Sequence, residues 1–264
     1  MIGRMPPNVP ADARSRFSTR VQDYVRFRPR YPGALYDFIR QELGIGQGSV
    51  VADIGSGTGI FCQPLLDAGC VVHGVEPNAE MRAAAEQLLA RHSTFQSISA
   101  SAEATSLPDH CADLVACAQA FHWFDAPRAA TEFLRICKPG GAIAVVWNER
   151  RPAGSGFLAD YEAMLVNYGT DYRQVAREHR PMKEADFISL FGVPFGRAVF
   201  PNAQSLDLAG LRGRVLSASY TPLPDQPGHR ELLDDIDRLF ARHQVGGLVT
   251  IDYDTDLYAA RVRP

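Results

Sequence analysis

Short apolar runs rich in valine, isoleucine and alanine recur through the first half of the chain, each followed by a stretch with apolar residues at helical spacing. The runs predict strands over Val50–Ile54, Val71–Glu76, Thr94–Ser99, Ala112–Cys117 and Ala142–Trp147. Between them the helical period predicts helices near Phe61–Ala68, Asn78–Arg91 and Pro127–Cys137, the last opened by Asp125 as its N-cap. Strand and helix alternating in this way give a parallel sheet with helices on both faces. Lys138-Pro139-Gly140-Gly141 reads as a helix stop and a turn into the next strand. After Trp147 the rhythm changes. Gly154–Leu190 reads as helical with polar interruptions and Arg197–Gln204 and Leu248–Tyr258 as strands, with helices over Asp207–Leu216 and Pro227–His243 between those two strands. This predicts an antiparallel pair added to the sheet edge, with a helical lid in the connection.

Composition narrows the partners. The 264 residues carry 27 basic and 30 acidic side chains, a formal charge of -3, so the electrostatic footprint of a nucleic-acid binder is missing and a small-molecule partner is expected. The five cysteines form no C-x-x-C pair, which fits free thiols in a reducing compartment and argues against zinc. No apolar run approaches the ~20 residues of a membrane span, and a cytoplasmic protein without a membrane partner is expected.

The most informative stretch is Asp53-Ile54-Gly55-Ser56-Gly57-Thr58-Gly59, a glycine loop that ends a buried strand and opens a helix. Glycines alternate as G-x-G-x-G, which lets a ligand approach the backbone closely. Ile60 stands where a dinucleotide fingerprint has its third glycine, and no Lys-Ser or Lys-Thr follows to make a phosphate-gripping loop. Glu76 closes the next strand, where a carboxylate can accept hydrogen bonds from both hydroxyls of a ribose or, alternatively, cap the turn at Pro77-Asn78. Loop and acid together indicate an adenosine ligand across the carboxyl ends of the strands. Gln119 and Ala120 lie just beyond the fourth strand, at that same edge.

The glycine loop, then Gly74-Val75-Glu76-Pro77-Asn78, then Lys138-Pro139-Gly140-Gly141 resemble the successive motifs of class I S-adenosylmethionine-dependent methyltransferases. Tyr24 with Arg28-Pro29-Arg30-Tyr31-Pro32, the segment Gln119–Asp125 and Ser217–Pro222 resemble the small-molecule (methyltransferase type 11) subgroup that includes trans-aconitate methyltransferase-like proteins. The resemblance covers about Phe17 to Val262. It implies a doubly wound, mainly parallel seven-stranded Rossmann-like sheet with a helical lid inserted before the last strands. It also implies three parts: residues 1–32 as a segment closing over the cofactor site, 33–150 as the cofactor-binding core, and 151–264 as lid and closing strands. The implied reaction moves a methyl group from S-adenosylmethionine to an oxygen, nitrogen or carboxylate of a small metabolite, leaving S-adenosylhomocysteine.

By the same resemblance Gly55, Ser56, Gly57, Thr58 and Gly59 lie at the cofactor, Asp53 helps hold its amino-acid end or braces the loop, and Glu76, Pro77 and Met81 border the ribose side. Ser101, Ala102 and Glu103 match the loop around the adenine edge, although Ser101 replaces the aspartate often found there. Gln119, Ala120 and Trp123 border the sulfonium, which an aromatic face attracts. Arg28 could pair with the methionine carboxylate, with Tyr24 or Tyr31 closing over it. His122 is a candidate general base or a structural histidine, and Tyr24 a second candidate base. Two other readings stay open: a protein that binds S-adenosylmethionine without catalysis, and a nicotinamide-dependent oxidoreductase. Arg150, Arg151, Arg212 and Arg214 lean toward an acidic acceptor such as a tricarboxylate, whereas Trp123, Phe124 and Tyr220 lean equally toward a flat heterocycle. Monomer and homodimer are both compatible with the sequence.

Overall fold

Valine and alanine make each of the first strands apolar on both sides, and such strands are stable only between two layers of helix. The computed structural model describes residues 21–151, 156–173 and 182–263. Residues 1–20 of the N-terminal segment, 154–155 and 174–181 of the stretch read as helical, and residues 152–153 and 264 lie outside these. The strands β1 (Val50–Ile54), β2 (Val71–Val75), β3 (Phe95–Ile98), β4 (Ala112–Ala118), β5 (Cys137–Arg150), β6 (Gly196–Leu206) and β7 (Val249–Arg261) form one sheet in the order β3-β2-β1-β4-β5-β7-β6. The first five are parallel, and β7 runs antiparallel between β5 and β6. The Rossmann-like class I methyltransferase sheet expected from the sequence is therefore the one observed.

Side chains alternate across the sheet. Val51, Val72, Leu114 and Ala144 face a layer containing α2 (Gly33–Glu42) and α3 (Cys62–Asp67), with the end of α4 (Ala79–Leu88) at its border. Ala52, Ile54, Val115 and Val145 face α5 (Ala126–Ile136) and α7 (Glu184–Phe191). A third core joins α6 (Phe157–Tyr168), α8 (Leu208–Leu216) and α9 (His229–His243) to Leu206, Val249, Ile251 and Tyr253 at the ends of β6 and β7. The lid thus has an apolar core of its own. The helical stretch before β6 is divided: α6 belongs to the lid, whereas α7 covers the sheet.

Lys138-Pro139-Gly140-Gly141 does not interrupt the sheet as its turn chemistry suggests. It is a bulge inside β5, since Ala112 pairs with Cys137 and Leu114 already with Ala142. The segment is held there by Lys138 Nζ on Asp113 at 2.7 Å and by the Gly140 N–H on the Val262 carbonyl at 3.1 Å.

Asp125 caps α5, its carboxylate accepting from the Arg128 N–H at 3.3 Å. Further along that helix Glu132 accepts from the Thr105 N–H at 2.7 Å and the Thr105 hydroxyl at 2.6 Å, and pairs with Arg135. Arg135 is the main reason that the Glu132 carboxyl is held down at about 2, with Thr105 adding to it. Glu132→Ala is expected to cost about 2–3 kcal/mol in urea unfolding, because it strands two buried donors of Thr105. A depressed carboxyl stabilises above its ordinary value, so this contribution should fade as pH falls from about 4.5 toward 2.

Candidate active site

Strand order reverses between β1 and β4, so the loops that leave their carboxyl ends diverge and open a crevice. The Gly55 and Ser56 N–H groups donate to the Val75 carbonyl at 2.8 and 3.2 Å, which pins the glycine loop to β2. Gly55 has φ +73°, and a Cβ there would lie 2.6 Å from the Ala120 Cβ and 3.0 Å from the Phe124 ring. Gly57 has φ +54°, but a Cβ there would meet nothing within 4 Å, because that side of the loop faces the crevice. Gly59 turns the other way, onto Leu89 and Ala85 at the end of α4.

Glu76 braces this loop. One of its oxygens accepts from the Gly57 N–H at 3.0 Å and the other from the Asn78 N–H at 2.8 Å, and burial raises its pKa. The carboxylate thus does cap the Pro77-Asn78 turn, and it also fixes Gly57. Asp53 is 1% exposed; one oxygen accepts from the Cys62 thiol at 3.0 Å and the other has no partner among the described residues. Burial pushes its carboxyl up to about 7. The buried Thr58 hydroxyl likewise has no described partner.

Gln119 follows β4 with φ +58°, an uncommon conformation for a residue with a side chain. Its N–H donates to the Val146 carbonyl at 2.9 Å and its amide to the Asn148 carbonyl at 3.1 Å, so β5 holds it there. His122 and Trp123 form a single 3₁₀ turn with Phe121. Trp147 Nε1 donates to His122 Nδ1 at 3.3 Å, which in a neutral ring leaves the proton on Nε2. Base action by His122 would require that bond to give way.

These elements enclose a cavity of about 580 Å³ that runs from Asp53, Gly55 and Gly57 past Gln119 and His122 to Arg214 and Tyr253 in the lid. Tyr24, Arg28, Ser56, Thr58 and Trp123 also line it. Eight sequence-selected residues sit outside the lining: Gly59 and Glu76, whose contacts are given above, and six more. Met81 is buried, Pro77 is exposed, Ala102 packs in the core and Ser101 bridges to Ala104. Glu103 accepts from the Asp125 N–H at 3.0 Å, and Ala120 packs behind Gly55.

Tyr24 and Arg28 arrive on and just after α1 (Val21–Phe27), with the guanidinium 4.7 Å above the Tyr24 ring and donating to the Ser217 carbonyl at 2.9 Å. This helix is docked by Phe27, whose ring lies where a Cβ on Gly213 of α8 would be, and by Gln204 donating to the Phe27 carbonyl at 2.8 Å. Gly213→Ala must displace that ring. It is expected to weaken S-adenosylhomocysteine binding about tenfold in isothermal titration, with the glycine loop untouched.

Of the four arginines that lean toward an acidic acceptor, Arg212 pairs with Asp237 away from the cavity. Arg151 borders the cavity but pairs with Asp254 at 3.0 Å. Arg150 and Arg214 remain as cavity residues. Tyr161, Tyr172 and Glu162 accompany Arg150 and Tyr253 accompanies Arg214, all four missed from the sequence. Among the described residues no cluster of acidic, histidine or cysteine side chains could hold a metal, and no helix is long and apolar enough to cross a membrane.

The model of a methyltransferase domain matches residues 52–145, the segment holding the glycine loop, Glu76 and Gln119. A methyltransferase-like protein of Schizosaccharomyces pombe is 30% identical over 256 residues, covering 94% of this chain and 96% of the relative. A Mycobacterium tuberculosis methyltransferase is 37% identical over 138 residues, 51% of this chain and 52% of the relative. Among solved structures, an Anaeromyxobacter dehalogenans protein provisionally assigned as a type II methyltransferase superposes with a TM-score of 0.64 at 23% identity, over 90% of this chain and 99% of that one. A Haemonchus contortus phosphoethanolamine N-methyltransferase, solved with S-adenosylhomocysteine, superposes with a TM-score of 0.55 at 16% identity, over 96% of this chain and 59% of that one. The chain belongs to the class I S-adenosylmethionine-dependent methyltransferases. It is an enzyme of that class, and S-adenosylmethionine is its cofactor. The site fits such a ligand: an open face at Gly57 and an unpartnered buried oxygen on Asp53 both border the cavity.

Proposed function

We propose that this methyltransferase acts on a small metabolite, methylating an oxygen, nitrogen or carboxylate inside the cavity between the sheet edge and the lid. The observation that supports this reading is the cavity itself, about 580 Å³ and continuous from the glycine loop to lid residues, a size suited to small molecules. When bound, S-adenosylmethionine supplies a methyl group on a sulfonium, already a good leaving group. The chain's own contribution is then alignment and exclusion of water.

In this reading Gly55, Ser56, Gly57 and Thr58 form the floor under the cofactor, and Glu76 receives the ribose while its backbone bonds hold it in place. Asp53 faces the amino group of the methionine end and Arg28 its carboxylate, with Tyr24 stacked behind. Gln119 and Trp123 border the sulfonium. The adenine end lies over the Ser101–Glu103 loop, which Glu103 ties to the start of α5. Residues 1–32, 33–150 and 151–264 act as closing segment, cofactor core and lid.

Isothermal titration with S-adenosylhomocysteine, NAD and NADP tests the cofactor assignments. Only the homocysteine compound is expected to bind, about tenfold more weakly in Glu76→Ala. Binding of a nicotinamide nucleotide, or an unchanged Glu76→Ala, would sink them. Transfer of label from methyl-tritiated S-adenosylmethionine to the low-mass fraction of a metabolite panel tests the acceptor class. His122→Ala slowing that transfer less than about tenfold removes His122 as base.

A further inference from the structure

The lid end of the cavity carries more positive charge than the described residues balance. Arg214 is 4% exposed, its Nη1 has no hydrogen-bond partner among the described residues, and its Nε donates to the Tyr253 hydroxyl at 3.3 Å. The groups that act on it most are Tyr253, Tyr161, Tyr220 and a second cation, Arg150. Arg150 pairs with the Glu162 carboxylate at 3.0 Å, which also accepts from the Tyr172 hydroxyl at 2.5 Å, and Glu149 is the other carboxylate beside it in the lining. Arg28, on its own side, is pushed down by burial and by Arg214. Burial would raise the Tyr220 phenol, yet Arg150, Arg214 and Arg28 outweigh it and hold the group below the ordinary tyrosine range. A buried guanidinium with an idle N–H is costly unless an anion completes it, and its fork suits an oxyanion.

We infer that Arg214 and Arg150, within their cage of tyrosines, bind an oxyanion of the methyl acceptor as its recognition handle. The inference rests on the acceptor reading of the cavity proposed above. Of the two leanings in the sequence it selects the acidic one, with the tyrosine rings as walls. An oxygen gripped by guanidinium groups is a poor nucleophile. The methylated atom is therefore a second group of the acceptor, placed toward Gln119 and His122 at the sheet edge. Arg28 stays with the cofactor's carboxylate, so the two anions have separate arginines.

The test is isothermal titration of the protein saturated with S-adenosylhomocysteine, using benzoate and inorganic phosphate as oxyanion probes and benzamide as the neutral match. At least one oxyanion is expected to bind at least tenfold more tightly than benzamide. Arg214→Gln should weaken it at least tenfold while S-adenosylhomocysteine affinity stays within threefold. Should Arg214→Gln unfold, as circular dichroism would reveal, Arg150→Gln carries the same expectation. Equal binding of benzamide, no oxyanion binding to the loaded protein, or oxyanion binding unchanged in the folded variant overturns the handle and leaves the proposed function standing. Loss of S-adenosylhomocysteine instead would mean that these arginines hold the cofactor, and also overturns it. Failure of the unmutated protein to bind S-adenosylhomocysteine would overturn both readings.

Discussion

Gly55→Val is expected to lose both stability and cofactor binding, whereas Gly57→Val should lose binding while remaining folded. Both glycines have positive φ, which costs a side-chain-bearing residue about 1–2 kcal/mol. At Gly55 a Cβ also meets Ala120 and Phe124 at 2.6 and 3.0 Å, and both belong to the packed layer over the sheet. Overpacking there adds about 1–3 kcal/mol, so a total near 3 kcal/mol should appear as an earlier urea midpoint. At Gly57 the space is open, and only the backbone term applies. Yet in the proposed site that open space is where the cofactor lies against the loop, and the Gly57 N–H is one of the two that orient Glu76. S-adenosylhomocysteine affinity should fall more than a hundredfold in Gly57→Val, with the urea midpoint lowered less than in Gly55→Val. If Gly57→Val binds within a few-fold of the unmutated protein, the loop is not the cofactor floor. Gly59→Val is the internal control: its side chain would strike Leu89, so it should destabilise without touching the cavity directly.

That contrast shows what was legible in the sequence. The strands were readable because valine and alanine runs buried on both faces leave few alternatives, and β1 runs over Val50–Ile54 as the pattern predicts. The glycine motif was readable as a motif, but the different tasks of its three glycines were not, because they depend on Ala120, Phe124 and Leu89, far along the chain. Glu76 shows the same limit. Its place after β2 follows from the strand pattern, while its bond to the Gly57 N–H depends on how β1 and β2 end side by side. Helix α2 carries a weaker signal in the sequence: Leu35 and Ile39 are four apart, and Pro32 stands at its N-cap. The lid end of the cavity left almost none. Tyr161, Arg214 and Tyr253 come from α6, α8 and β7, and only packing around the third core brings them together. The KPGG segment follows the end of α5 at Ile136, as a helix stop requires, but Asp113 and Val262 keep its turn within the sheet.

Asp53 should make both stability and cofactor affinity depend on pH near neutrality, in opposite directions. Its carboxyl is buried, is bonded only to the Cys62 thiol on one oxygen, and is pushed by burial to about 7 from an ordinary 3.8. Between those two values the folded protein holds a proton that the unfolded chain has released. Folding is therefore favoured at the acid end of the window and loses up to about 4 kcal/mol as pH rises through it. Asp53→Asn should flatten this slope in urea unfolding and leave the variant the more stable form at pH 8. Cofactor binding runs the other way in the proposed site, because the ionised carboxylate faces the cationic amino group of the ligand. With a pKa of about 7, the ionised fraction rises about tenfold from pH 6 to pH 8, and S-adenosylhomocysteine affinity should rise with it. Titration at pH 7 in two buffers of different ionisation enthalpy should detect net proton release on binding, absent in Asp53→Asn. Equal pH slopes for the two proteins, in stability and in affinity alike, would show that Asp53 is neither strained by its burial nor a partner of the ligand. The loop would then owe its shape to Glu76 and the strand ends alone.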